Sequence, residues 1–135
     1  LHVRYERQSA NALHIAKELR NVKGIKQVNY IGLPDNPFYS LATKQFGGEA
    51  YGAMLTIDLG SKQECFDTLN RLKLIHRATN LFDNRTLAIH PASTIFGLFS
   101  EEKLKEIDVK QTTIRLSIGL EDPTDIINDI KQALE

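Results

Sequence analysis

The sequence has little of what marks disulfide-stabilised, nucleic-acid-binding or membrane proteins. Its 135 residues include one cysteine, Cys65, which excludes a disulfide framework and a zinc site built from several cysteines. Its 17 lysines and arginines balance 17 aspartates and glutamates, so it lacks the basic excess through which proteins bind nucleic acids or membrane surfaces. No apolar run approaches the roughly 20 residues of a membrane span. We therefore expect neither a nucleic-acid nor a membrane partner.

The remaining composition is typical of one soluble globular domain. Hydrophobic residues make up 41% of the chain and charged residues 25%. A domain of this length buries roughly two thirds of its unfolded surface and needs no metal or disulfide to fold. The sequence begins with Leu1 and not with Met, and residues 1–11 are too polar for a signal peptide. These features indicate a fragment or a processed product of a longer protein.

Apolar residues at helical spacing predict five helices. They cover residues 3–21, 38–46, 62–74, 101–107 and 123–134. Three of the starts carry capping residues. Ser61 with Glu64 forms a capping box, Ser100 precedes two glutamates, and Asp122 precedes a proline suited to the first helical position.

Alternating apolar and polar residues predict half-buried strands at residues 53–59 and 113–118, and a short β-prone run covers residues 25–31. A further apolar run, residues 86–89, precedes Pro91. Short, half-polar strands favour an open, mostly antiparallel sheet with helices packed on one face. The sequence therefore predicts a single α+β domain over residues 1–135.

Most residue types that could carry chemistry have simpler structural interpretations. The four histidines lack metal-ligand spacing, so we expect no metal site. Cys65 lies on the apolar face of a predicted helix and is interpreted as core packing. Gly47 and Gly48 end a helix and lack the pattern of a phosphate-binding loop. Glu121 and Asp122 are interpreted as the start of the last helix.

Two segments point to binding. Arg115 interrupts an apolar strand between Ile114 and Leu116, so it either faces solvent or directs its planar fork at a carboxylate. Residues 80–94 form a loop dense in small polar side chains, a composition that often carries binding residues. Pattern alone leaves both interpretations of Arg115 open.

These two segments carry a resemblance to a known family. The runs LAIHPAST (87–94) and IRLSIGLED (114–122) resemble the C-terminal domain of the Cys/Met-metabolism pyridoxal-phosphate enzymes. RYERQSANALHIAKEL, VNYIGLPDNPFYSLATKQF and GAMLTIDL fit the same family in the same order, so the resemblance covers essentially the whole chain. NLFDNRTLAIHPAST is most similar to the O-acetylhomoserine sulfhydrylase branch, which tends to have asparagine at the position of Asn80.

The resemblance implies the C-terminal domain of a fold-type I transferase. In this family a large N-terminal domain holds pyridoxal phosphate through a Schiff-base lysine and grips its phosphate. That domain is absent here, so we expect no catalytic, cofactor-binding or metal-binding residue in residues 1–135 and an inactive isolated chain. By resemblance, Arg115 binds the α-carboxylate of the amino-acid substrate and Asn80 assists.

The implied activity of the whole protein is replacement of the γ-substituent of an activated homoserine by sulfide or a thiol. The resemblance also implies a cytoplasmic homotetramer that uses pyridoxal phosphate. A cystathionine gamma-synthase or a methionine gamma-lyase is the alternative within the family. Outside the enzyme class, a stand-alone regulatory module would use Arg115 to bind a small amino acid without any cofactor.

The chain departs from the family pattern at three positions. Phe82 stands where the family commonly has glycine. Ile95 and Phe96 stand where it commonly has threonine and histidine, which implies a drier or reshaped pocket. Ser93 is interpreted as structural, with its hydroxyl bonded to nearby backbone.

Overall fold

The computed structural model describes all residues from 1 to 135 and confirms the predicted helices. The helices are α1 (His2–Leu19), α2 (Tyr39–Phe46), α3 (Lys62–Arg71), α4 (Glu101–Glu106) and α5 (Pro123–Leu134). A 3-10 turn, Pro91–Ser93, lies between the fourth strand and α4. None of the helices combines the length and hydropathy that crossing a membrane requires.

Five strands form one sheet. They are β1 (Gln27–Asn29), β2 (Met54–Asp58), β3 (His76–Arg77), β4 (Leu87–Ile89) and β5 (Thr113–Ser117), in the spatial order β1-β2-β5-β4-β3. Every neighbouring pair is antiparallel except β3 and β4, which are parallel. The mostly antiparallel α+β fold is therefore as predicted. Strand β3 was not predicted, because two residues are too few to show an alternation.

The core lies between one face of the sheet and the helices α1, α3 and α5. The alternate residues Leu55 and Ile57 of β2 and Ile114 and Leu116 of β5 point into it and are at most 2% exposed. Each fully buried side chain of this kind stabilises the fold by about 1.5–3 kcal/mol. Since residues two apart share a face, Thr113 and Arg115 lie on the opposite, polar face of the sheet.

The predicted helix starts are confirmed by their hydrogen bonds. Ser61 Oγ accepts the N–H of Glu64 at 3.2 Å, and the Glu64 carboxylate accepts the N–H of Gly60 at 2.7 Å. Ser100 Oγ accepts the N–H of Lys103 at 3.2 Å in the same way. Asp122 Oδ1 accepts the N–H of Thr124 at 2.8 Å at the start of α5. Such caps contribute about 1 kcal/mol each.

Cys65 lies in the core, as predicted, with no exposed surface. Burial, together with the nearby Asp58 and Glu64 carboxylates, raises the pKa of its thiol from 9.0 to about 11. The unfolded chain loses the thiol proton near pH 9, while the folded chain keeps it until about pH 11. The contribution of this group to stability is therefore complete below pH 9 and is lost as the pH rises through 11.

We expect Cys65 to resist alkylation in the folded protein at about pH 8. Only the thiolate reacts, and a pKa of about 11 leaves roughly one thiol in a thousand ionised. Mass spectrometry of the Cys65 peptide after treatment with iodoacetamide measures the modified fraction. The same treatment in guanidinium chloride is the control and should modify Cys65 fully. Rapid modification of the folded protein would contradict this assignment.

Candidate carboxylate-binding site

Arg115 lies at the centre of the sheet, on the face that the helices leave open. In the strand register it pairs with Thr56 of β2 on one side and with Ile89 of β4 on the other. Asn29 of β1 pairs with Thr56 and extends the same row. The position of β5 between β2 and β4 therefore brings polar side chains from three strands, β1, β2 and β5, into one row, with the apolar Ile89 of β4 at its end.

The guanidinium of Arg115 has no acidic partner. Nη2 donates a hydrogen bond to the Thr79 carbonyl at 3.0 Å, and no carboxylate lies within 4.0 Å of its nitrogens. The side chain is half-buried, and burial lowers its pKa because it disfavours the charged form. Arginine nevertheless keeps its charge at neutral pH. The face thus holds a partly desolvated cation whose planar fork is available to an anion.

Asn80 lies in the loop between β3 and β4, directly after the residue that binds this cation. Its side chain is exposed, and the preceding residue, Thr79, is the one whose carbonyl accepts the Arg115 hydrogen bond. The backbone at Asn80 therefore passes beside Arg115, although the two residues are 35 positions apart, but the Asn80 side chain is not among those that line the cavity next to Arg115.

A cavity of about 410 Å³ opens beside Arg115. Its floor is the polar face of the sheet, including Thr56 and Thr113, and Ile95 and Phe96 form part of its wall. Phe82, the third departure from the family pattern, lies elsewhere and stacks on Tyr5 with ring centroids 6.0 Å apart.

The residues around this cavity include one cation without an acidic partner, Arg115, and two carboxylates, Asp58 and Asp108, and they do not form a pyridoxal phosphate site. Lys110 is the one lysine that lines it, and its Nζ is 3.1 Å from Asp58 Oδ2 in an ion pair. The cavity also lacks a glycine-rich turn at a helix N-terminus that could hold a phosphate. No cluster of three or more His, Cys, Asp or Glu side chains could hold a metal ion.

The turn at Pro91 is tied to the strand that carries Arg115. The His90 ring is 1% exposed, with Nε2 at 2.7 Å from the Gln111 carbonyl and Nδ1 at 2.7 Å from Ser93 Oγ. Because a carbonyl only accepts, Nε2 donates to Gln111, and Nδ1 of a neutral ring then accepts the hydroxyl of Ser93. Ser93 is thus structural as predicted, but its short bond is to the His90 ring and its backbone contact is long, at 3.5 Å.

Glu121 has a different role from the predicted one. Its Oε1 accepts the N–H of Thr86 at 2.7 Å and its Oε2 accepts the Thr86 hydroxyl at 2.7 Å, so it holds the end of the loop before β4. Asp122 alone caps α5 through its side chain. The interpretation of Glu121 as part of the helix start was wrong, because a residue just before a helix can equally face a neighbouring loop.

Comparisons with known proteins point to one enzyme family. The Cys/Met metabolism PLP-dependent enzyme model matches residues 1–135. An O-acetyl-L-homoserine sulfhydrylase of Thermus thermophilus is 42% identical over 99% of this chain and 32% of its own length. An L-methionine gamma-lyase of Fusobacterium nucleatum is 37% identical over 98% of this chain and 33% of its own length.

A solved structure shows the same fold. It is a putative O-acetylhomoserine (thiol)-lyase of Campylobacter jejuni that carries a pyridoxyl-lysine-5'-monophosphate group, with 38% identity and a TM-score of 0.94 over 98% of this chain and 32% of that one. The chain thus spans about a third of the length of the relatives that it matches. Because the family model matches all of residues 1–135, the chain belongs to the Cys/Met metabolism PLP-dependent enzyme family.

Proposed function

We propose that residues 1–135 are the C-terminal, substrate-binding domain of a longer O-acetylhomoserine sulfhydrylase. The proposal rests on the Arg115 guanidinium. It is half-buried, it faces the cavity, and it has no carboxylate partner. The sulfhydrylase named among the relatives and its threefold greater length support the same conclusion. The reaction replaces the acetoxy group on the γ-carbon of the substrate by sulfide, giving homocysteine and acetate.

Arg115 and Asn80 bind the substrate's α-carboxylate in this proposal. Nη2 of Arg115 is held by the Thr79 carbonyl, and its other N–H groups form the planar fork that matches a carboxylate. The amide of Asn80, the residue after Thr79, adds a further donor in this proposal. A carboxylate fixed at two points sets the orientation of the bonds at the substrate Cα. When bound by the rest of the protein, pyridoxal phosphate would supply the electron sink for those bonds.

Ile95 and Phe96 make one wall of the substrate cavity apolar. Excluding water beside Arg115 strengthens its attraction for the carboxylate, because a less polar medium screens charges less. The two residues therefore favour binding of a compact substrate whose carbon chain lies against the wall.

Exposed apolar side chains support a larger assembly. Leu98, Phe38 and Leu41 are 102%, 63% and 61% exposed. Large apolar patches on a surface commonly mark contacts with another chain or domain. We propose that these residues are covered in a cytoplasmic homotetramer by the cofactor-binding domain or by a neighbouring subunit.

An assay of the complete protein tests the proposed reaction. With pyridoxal phosphate, O-acetylhomoserine and sulfide, we expect homocysteine and acetate to form. This reaction should be faster than the consumption of methionine or of cystathionine in parallel reactions. The similarity to a methionine gamma-lyase supports the alternative, in which methionine is the preferred substrate and reacts with water to give methanethiol, 2-oxobutanoate and ammonia. That result would overturn the sulfhydrylase assignment.

The isolated chain of residues 1–135 serves as the control in the same assay. It should be inactive and should not develop the visible absorbance of a lysine-bound cofactor when pyridoxal phosphate is added. Fixation of the cofactor to one of its lysines by borohydride would show that the chain is a complete cofactor-binding unit, and the domain assignment would be wrong.

A further inference from the structure

A series of hydrogen bonds connects the IRLSIGLED motif to the loop that carries Asn80. Alternate residues of the motif, Arg115, Ser117, Gly119 and Glu121, each contact the segment from Thr79 to Thr86. Because residues two apart share a face of an extended chain, one side of the motif forms a continuous support for the loop.

Ser117 holds the loop two residues after Asn80. Its hydroxyl oxygen accepts the backbone N–H of Phe82 at 3.0 Å, and the serine is 1% exposed. Phe82 has a φ of 54°, in the left-handed region that is costly for a residue with a bulky side chain. A backbone in this conformation persists only where its surroundings hold it, and the bond from Ser117 is one of those restraints.

The far end of the loop is held by the second half of the motif. The Gly119 N–H donates to Thr86 Oγ1 at 2.9 Å, and Glu121 accepts both the N–H and the hydroxyl of Thr86. A Cβ atom at Gly119 would collide with the carbonyl oxygen of Asn84, so the loop lies directly against the motif. Both ends of the segment that carries Asn80 are therefore fixed.

We infer that Ser117 is a positioning residue for the carboxylate site, acting through the Phe82 backbone on the loop that carries Asn80. This inference rests on the proposed function, since it concerns the placement of Asn80 beside Arg115. Ser117 is buried beneath the loop and does not line the cavity beside Arg115. A small displacement of a binding group strongly lowers catalytic efficiency. Loss of this hydrogen bond should therefore raise the KM for the substrate in a protein that still folds.

The test compares two serine substitutions in the complete enzyme. Ser117→Ala should raise the KM for O-acetylhomoserine about tenfold with little change in kcat, the loss expected for one hydrogen bond. Ser61→Ala is the matched control, because it also removes one serine hydroxyl that accepts a backbone N–H, at the start of α3. Both variants should lower Tm by a few degrees, but only Ser117→Ala should change KM.

A KM that is unchanged in Ser117→Ala, or raised equally in both variants, would overturn the positioning role. Arg115→Ala separates this outcome from failure of the proposed function. If Arg115→Ala raises KM and Ser117→Ala does not, the positioning role alone is wrong; if neither changes KM, the carboxylate site is wrong as well.

Should Ser117→Ala fail to fold, Glu121→Gln weakens the other end of the loop and should raise KM about threefold. An unchanged KM in that variant would equally overturn the inference.

Discussion

Replacing Arg115 with alanine in the complete enzyme is expected to lower kcat/KM for O-acetylhomoserine by about 100-fold or more. The substitution removes a charge-assisted, two-point contact with the carboxylate, whose loss costs about 3 kcal/mol or more in a partly desolvated site. A loss of that size corresponds to a factor of about 100. Most of the effect should fall on KM, because the contact is made in the ground state as well as in the transition state. Steady-state kinetics over a range of substrate concentrations measures it.

Two further variants sharpen the Arg115 experiment. Arg115→Lys keeps the charge but loses the planar fork, so its kcat/KM should fall between those of the wild type and of Arg115→Ala. Arg20→Ala is the control, because Arg20 forms an exposed ion pair with Asp35 and such pairs contribute at most about 1 kcal/mol to stability.

The carboxamide of O-acetylhomoserine, which lacks the charged α-carboxylate, tests whether Arg115 binds that group. The wild type should use it poorly, and Arg115→Ala should no longer distinguish it from the natural substrate. Full discrimination in a folded Arg115→Ala protein would contradict the role given to Arg115.

Replacing Asp129 with alanine is expected to lower the free energy of unfolding by about 3–5 kcal/mol. Asp129 lies on α5 and is 6% exposed. Its two carboxylate oxygens accept the backbone N–H groups of Lys73, Leu74 and Ile75 at 2.9, 2.9 and 2.8 Å. Alanine would leave three donors near the core without an acceptor, each at a cost of about 1–3 kcal/mol, with water reaching part of the site.

Chemical unfolding of the chain, followed by circular dichroism, measures the effect of the Asp129 substitution. Asp129→Asn keeps one carbonyl oxygen and should lose about half as much stability as the alanine variant. Asp35→Ala is the control, since the Asp35 side chain is 62% exposed and its loss should change stability by less than about 1 kcal/mol. Equal stability of Asp129→Ala and the wild type would show that the segment after α3 is held by other contacts.

The sequence by itself determined the local structure. Helix starts such as Ser61, Ser100 and Asp122 were predictable because a capping side chain bonds to a backbone N–H only two or three residues away. The face of Arg115 was predictable too, since the side chains of a strand alternate and its neighbours Ile114 and Leu116 both enter the core. The family motifs gave the family and the pair Arg115 and Asn80.

Only the tertiary structure decided what these side chains meet. No local pattern indicates that Thr79 binds Arg115, that Glu121 binds Thr86, or that Asp129 holds the chain after α3. These partners are 35 to 56 positions apart, and they meet because the strand order places β5 beside β4 and the helix layer places α5 beside α3. Local periodicity specifies which face a residue occupies, whereas the packing of distant elements specifies its neighbours. The sequence alone left the exposure of Arg115 open. In the packed structure Arg115 is a half-buried cation without a carboxylate partner.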